Sequence, residues 1–184
     1  MGFVETACEE SAQSPRQRQL QFVRRDEVAT FRGNQTARID DKGRLKLPSV
    51  FKDLLDSEAV TRFFITTTDL NRAEIWPLKE WEKVEEALDN NASVFNEAVE
   101  RFSDRVNFYG REVDIDAQGR VLLPQQLRTL LEFGSEEVTV MGKRKFLAVH
   151  HVEQMEQRVG PDAFTAEMKS QIDAILSAGL KGQA

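Results

Sequence analysis

Apolar residues in the middle of this chain follow two periods, and the periods alternate in the same order twice. Phe51, Leu54 and Leu55 fall at i, i+3 and i+4, as do Leu127, Leu130 and Leu131, so each triplet predicts one apolar stripe on a short helix. A proline suited to a helix's first turn, Pro48 or Pro124, precedes each stripe. Ahead of each proline lies a short extended segment, residues 44–47 and 120–123, joined by a tight turn to an extended arm at 36–39 and 112–115. The turns hold Asp40 and Gly43 in one copy, Asp116 and Gly119 in the other. Such an aspartate can accept backbone N–H groups, and the glycine tolerates positive φ.

The order persists downstream. Residues 62–68 and 73–77 predict two strands of a hairpin, and 137–141 with 146–149 predict its counterpart around Gly142 and Lys143. A helix follows each: residues 79–90, continuing after a break from 94 to 109, and residues 152–159. Residues 164–180 carry Met168, Ile172, Ile175 and Leu176 at helical spacing, which predicts an amphipathic helix packed on the body or on a neighbour. The unit strand-turn-strand-helix-strand-strand-helix is therefore used twice. A unit of this size is too small to hold a core alone, so the two copies are expected to pair into one pseudo-symmetric, β-rich, mixed α+β body. The division expected is a disordered extension at 1–30, a first unit at 31–82, acidic connecting helices at 83–109, a second unit at 110–155 and a helical tail at 156–184.

The duplication is visible residue by residue. Residues 38–55 read RIDDKGRLKLPSVFKDLL and residues 114–131 read DIDAQGRVLLPQQLRTLL. Ile39, Asp40, Gly43, Arg44, Leu47, Pro48, Leu54 and Leu55 recur without a gap as Ile115, Asp116, Gly119, Arg120, Leu123, Pro124, Leu130 and Leu131. Identity at that many ungapped positions marks an internal repeat.

Charge changes the picture only once it is located. The chain of 184 residues has a net charge of −6, which at first opposes a nucleic-acid partner. Residues 80–104 account for all of it, and the hairpin regions on either side are mildly basic. A local DNA-binding surface is thus compatible with the overall charge. No apolar run approaches the ~20 residues of a membrane helix, and no signal-peptide core is present, which predicts a cytosolic protein with no membrane partner. Cys8 is the single cysteine, so an internal disulfide or cysteine metal cluster is excluded. His150 and His151 are adjacent and would point to opposite faces of a strand, which disfavours shared metal ligation. The sequence shows no nucleophile–base set, phosphate loop or metal motif, so no enzyme activity, cofactor or small-molecule substrate is expected. The start Met1-Gly2 fits a bare myristoylation pattern, which is short and frequent.

Four motifs in order carry a family resemblance: Thr30-Phe31-Arg32-Gly33-Asn34; Ile39-Asp40-x-Lys42-Gly43-Arg44-Leu45-x-Leu47-Pro48; Trp76-Pro77-Leu78-x-Glu80-Trp81; and Asp116-x-x-Gly119-Arg120-Val121-Leu122-Leu123-Pro124. Over residues 31–160 the chain resembles the MraZ regulators. The resemblance implies two AbrB/SpoVT-type swapped-hairpin units forming one barrel-like body. It further implies a bacterial transcriptional regulator, associated with the nucleoid, that binds short direct repeats in the promoter of its own division and cell-wall gene cluster and assembles into a ring. Carried over to matching positions, it places DNA binding at Arg44 and Arg120, with Lys42 as an accessory phosphate contact. Two departures stand out. Thirty residues precede Phe31, and the last strand reads Phe146-Leu147-Ala148-Val149-His150-His151 where an acidic residue and a tryptophan are expected.

The chemistry of an Asp-x-x-x-Arg hairpin supports that implication. A hairpin tip fits a major groove, where arginine can donate two parallel bonds to guanine O6 and N7. Asp40 and Asp116, with Gly43 and Gly119, then serve as loop supports that preorganise the arginine. The competing reading makes each Asp–Arg pair a turn brace contributing only about 0–1 kcal/mol. A basic tip at Lys143-Arg144-Lys145 is either a phosphate contact or a solvated turn, and Trp76 and Trp81 are expected to seal a strand–helix junction. An antitoxin-type interaction module of the same fold is the alternative function.

Overall fold

A computed structural model describes residues 30–91 and 96–181. Apart from Thr30, the expected N-terminal extension, with Cys8 and the Met1-Gly2 pattern, lies outside the described residues. The elements run β1 (Asn34–Arg38), β2 (Arg44–Lys46), α1 (Ser49–Ser57), β3 (Arg62–Thr66), β4 (Ala73–Pro77), α2 (Leu78–Asn91), α3 (Glu97–Tyr109), β5 (Arg111–Asp114), β6 (Arg120–Leu122), α4 (Gln125–Leu130), β7 (Glu137–Gly142), β8 (Leu147–His151), α5 (Val152–Val159), a 3₁₀ turn (Pro161–Ala163) and α6 (Ala166–Lys181). The fold is mixed α+β, and its sheets pair antiparallel throughout.

Strand pairing crosses between the two repeats. The six-stranded sheet has the order β1-β7-β8-β4-β3-β5, and β2 pairs with β6 in a separate two-stranded ribbon. Exchanging each strand for its repeat equivalent (β1 with β5, β2 with β6, β3 with β7, β4 with β8) reproduces the same order read backwards. The first strand of each unit thus pairs with the other unit: β1 with β7, β5 with β3. Neither unit closes its own sheet, so one core serves both. That core contains the residues the pattern marked, with Phe51, Leu55 and Leu127 almost fully buried, joined by Ile39, Leu45, Leu47, Val121 and Leu123 from the loop-and-ribbon segments. Phe31 closes it at one end by reciprocal backbone bonds with Arg144 of 2.9 Å each.

A second cluster seals the helices onto the sheet. Phe64 stacks on Trp81 at 4.7 Å between ring centroids, and Trp76 lies between Trp81 and Phe146. Both tryptophans are therefore packing residues at the strand–helix junction, and Phe146 fills space beside Trp76. Beneath them Glu74, 1 % exposed, accepts bonds from Arg72, Thr68 and Trp76. α3 begins at an Asn96 N-cap whose side chain accepts from Ala98 N–H.

Two expectations change. The first hairpin strand stops at Thr66 rather than residue 68, because Thr67 turns inward and its Oγ1 accepts from Leu70 N–H, with Leu70 at φ 62°. The C-terminal helix forms, but of its two expected packing sites it does not use the body: Met168, Ile172, Ile175 and Leu176 are all exposed, and none of the described residues covers their stripe.

Candidate nucleic-acid interface

Each Asp-x-x-x-Arg turn is closed by its own aspartate. In the first, Asp40 Oδ1 accepts the backbone N–H of Lys42 and Arg44 at 3.0 and 2.9 Å, while Oδ2 accepts Arg44 Nε and Nη2 at 2.7 Å each. In the second, Asp116 Oδ1 accepts Gln118 and Arg120 N–H at 2.8 and 3.0 Å, and Oδ2 accepts Arg120 Nε and Nη2 at 2.7 Å each. The glycines complete the turns at φ 77° (Gly43) and 75° (Gly119), where a Cβ is strained. Their N–H groups donate to the Asp40 and Asp116 carbonyls at 2.8 and 2.9 Å.

The electrostatics follow from this geometry. The Arg44 side chain, then the backbone N–H of Arg44, hold Asp40 down to about 2. Burial pushes Asp116 up, but the Arg120 bonds outweigh it and leave Asp116 below the ordinary range. Arg44 is held more firmly protonated by Asp40 first, with added contributions from Asp116 and Asp41. An influence of Asp116 on Arg44 requires the two turns to be neighbours.

Strand pairing explains why they are. β2 and β6 pair with Arg44 opposite Leu122, Leu45 opposite Val121 and Lys46 opposite Arg120. Leu45 and Val121 are fully buried, so the alternate residues Arg44, Lys46, Arg120 and Leu122 share the outer face. The two arginines are diagonal neighbours, roughly 7–8 Å apart at the backbone. Each turn is also tied to the opposite strand: Leu47 N–H donates to the Gly119 carbonyl at 2.9 Å, and Leu123 N–H to the Gly43 carbonyl at 3.0 Å. The helix after each ribbon strand covers the other unit's turn, Arg128 lying over Gly43 and Lys52 over Gly119.

The donors left over decide what the surface can do. Guanidinium has five N–H groups, and the aspartate engages only the Nε/Nη2 edge. The Nη1/Nη2 edge of each arginine keeps the donors needed for two parallel bonds to a planar acceptor pair. Arg44 and Arg120 are 31 % and 23 % exposed at the side chain, so they are partly fixed and still reachable. Lys42 is exposed at the first turn, with its backbone N–H on Asp40.

Sequence reasoning missed Lys46, Leu122, Lys52 and Arg128. Alternation within a strand would have put Lys46 beside Arg44 and Leu122 beside Arg120, but cross-ribbon neighbours depend on register between distant segments. The Lys143–Lys145 tip lies at the opposite end of β1 and β7 from the Asp40 turn. Lys145 there sits 3.2 Å from Glu80, which Lys83 also pairs. Burial raises Glu80, yet the two lysines win and hold it lowered. His150 is buried and His151 meets the Leu131 carbonyl, so the two rings do face different surroundings.

Comparison with known proteins agrees with the duplicated architecture. The model of the MraZ protein family, a family described by its likeness to antitoxins, matches residues 30–105 and again residues 110–167. The chain is 47 % identical over 137 residues to the transcriptional regulator MraZ of Acidobacterium capsulatum, covering 74 % of this chain and 92 % of that one. It is 38 % identical over 138 residues to the regulator of the same name from Koribacter versatilis, with the same coverage. A Neisseria meningitidis counterpart is 32 % identical over 126 residues, covering 68 % of this chain and 83 % of the relative. With both repeats matched and similarity spanning most of each relative, this chain belongs to the MraZ family, whose relatives here are named as transcriptional regulators.

Proposed function

We propose that this protein is a sequence-specific DNA-binding transcriptional regulator that reads promoter direct repeats of its own division and cell-wall operon through the β2–β6 ribbon. In this reading Arg44 and Arg120 contact base edges, Lys42 contacts phosphate, and Asp40, Asp116, Gly43 and Gly119 hold the turns. The protein acts in the cytoplasm, on the nucleoid. The observation that carries the reading is the repetition of one Asp–Arg geometry in two turns on one exposed ribbon. A two-stranded ribbon fits the major groove, where arginine pairs with guanine O6 and N7. The exchange of first strands between units supports a swapped-hairpin barrel as the scaffold.

Two arginines per chain fall short of the affinity of a specific operator complex, typically Kd about 10⁻⁸ to 10⁻¹¹ M. The reading therefore includes a homo-oligomer, a ring in which ribbons recur and linked weak contacts reinforce one another by about 10²- to 10⁴-fold. The exposed stripe of α6 and the exposed Phe108 offer apolar surface for contacts between copies. Domain boundaries follow the repeats: units at 31–82 and 110–155, joined by helices at 83–109 and followed by a tail at 156–184.

The test is a gel shift on the intergenic DNA upstream of the gene. Arg44→Ala combined with Arg120→Ala is expected to abolish the specific shift while circular dichroism and mass in solution stay unchanged. Undiminished affinity in that double variant would sink the proposal. The family's likeness to antitoxins supports one second reading, an interaction module that neutralises a protein partner. Co-purification of the product of an adjacent short gene, with DNA binding dependent on it, would favour that reading.

A further inference from the structure

The two ends of the ribbon are related by the repeat, yet they are chemically unlike. Residue 46 of the first unit corresponds to residue 122 of the second, at the same offset that relates Arg44 to Arg120. The first unit has lysine there and the second has leucine. Antiparallel register then sorts them: Leu122 lies directly opposite Arg44, and Lys46 directly opposite Arg120. One end of the outer face thus pairs an arginine with an apolar side chain, and the other pairs an arginine with a second cation.

Leu122 is 47 % exposed, although Val121 and Leu123 on either side of it are buried. It is an outward residue of a core strand, fixed by register on the face that carries three cations. Leucine in that place contributes nothing to the core and cannot hydrogen-bond. Its side chain suits one feature of a major groove, the C5-methyl of thymine.

Resting on the DNA-binding reading above, we propose that Leu122 recognises a thymine methyl beside the base contacted by Arg44, and that the Leu122/Lys46 difference makes the ribbon read an asymmetric site in one orientation. Two like ends would favour a palindromic site. Unlike ends distinguish the two directions along the duplex, as a reader of direct repeats must. Burying one methyl group is worth about a fourfold change in affinity for each ribbon engaged.

Selection from a random-sequence duplex library with the full chain supplies the probe. The selected duplex is then remade with each thymine in turn replaced by deoxyuridine, which removes the methyl and keeps the pairing. The expected result is one thymine, next to a guanine, whose replacement weakens binding about fourfold per ribbon engaged. Leu122→Ala, placed at an exposed position, should bind the thymine and deoxyuridine duplexes equally while its thermal midpoint stays unchanged. Leu122→Lys, which places a lysine opposite each arginine, should select more symmetric sites lacking that thymine. If enrichment depends on Arg44 and Arg120 but no deoxyuridine replacement matters, or Leu122→Ala keeps the sensitivity, the role of Leu122 is overturned and the DNA-binding reading stands. If no duplex is enriched, both fall.

Discussion

Substituting alanine for each turn glycine isolates how the two units brace one another. Gly43 and Gly119 have nearly the same φ, 77° and 75°. At both, alanine in a left-handed conformation costs roughly 1–2 kcal/mol, offset by about 0.4–1 kcal/mol from a stiffer unfolded chain. That leaves a common loss of about 1 kcal/mol. The cover over the two turns differs. A Cβ on Gly43 would lie 2.4 Å from both Cζ and Nε of Arg128, whose Nε donates to the Leu123 carbonyl at 3.2 Å. Clearing that clash breaks the bond, adding about 0.5–1.5 kcal/mol. On Gly119 the Cβ would meet Lys52 Cδ at 2.8 Å. A lysine stem can swing aside, and the ion pair it makes with Asp56 is exposed, contributing at most about 1 kcal/mol and often nothing. We predict losses of about 1.5–2.5 kcal/mol for Gly43→Ala and about 1 kcal/mol for Gly119→Ala. Urea unfolding at matched protein concentration measures both; at this chain length each kcal/mol also lowers the melting midpoint by roughly 2–4 °C. Equal losses, or a larger one at Gly119, would refute the claim that Arg128 braces the Gly43 turn.

Three further predictions concern other groups. Asp40→Asn keeps the Oδ1 acceptor for the turn but sets an amide against the Arg44 guanidinium; DNA affinity should drop about 2- to 10-fold per ribbon, less than for Arg44→Ala, and unchanged affinity in a gel shift would remove Asp40 as a support. Arg72→Met leaves the Glu74 carboxylate buried without its cation, with an expected loss of about 3–5 kcal/mol in urea unfolding; a loss below about 1 kcal/mol would contradict it. Burial first, then the positive charges of Arg72, Lys143 and Arg158, hold His150 down to about 4. An unfolded histidine titrates near 6.5 and would take up protons that the folded ring refuses, so stability should fall as pH drops from about 6.5 to about 4, by at most about 3 kcal/mol. His150→Leu should flatten that slope, and a slope unchanged in this variant would count against it.

Legibility of the fold tracked how local each cause is. The helix stripes at Phe51–Leu55 and Leu127–Leu131, the Asp–Gly turns and the strand at 73–77 each follow from a few adjacent residues, and each stands where the pattern put it. The pairing of β1 with β7 joins residues about 100 positions apart and that of β5 with β3 joins residues about 50 apart, and no periodicity encodes partners. The site divided in the same way. Asp40 and Arg44 are four residues apart and their contact could be inferred from the turn; Arg44 beside Leu122 could not. Arg128 over Gly43 was likewise hidden, since only the cross-unit packing brings that helix to that turn.

The repeat also shows which constraints act on which positions. In residues 38–55 and 114–131, every identical residue is buried or half-buried in both copies, including Asp40, Arg44, Asp116 and Arg120. Three replacements preserve character and cover: Leu45 to Val121, Phe51 to Leu127 and Lys52 to Arg128. The remaining differences, among them Asp41 to Ala117, Lys42 to Gln118 and Lys46 to Leu122, are exposed in both copies. The Asp–Arg pairs therefore do the same work in both copies, since the aspartate that closes the turn also aims the guanidinium. Under the DNA-binding reading proposed above, discrimination has to come from what differs. A symmetric dimer of single units must show DNA the same side chains twice, whereas two units fused in one chain can hold a shared core fixed while their outward positions diverge. Lys42 and Lys46 against Gln118 and Leu122 are that divergence on the ribbon, and they turn a two-fold scaffold into a surface with a direction.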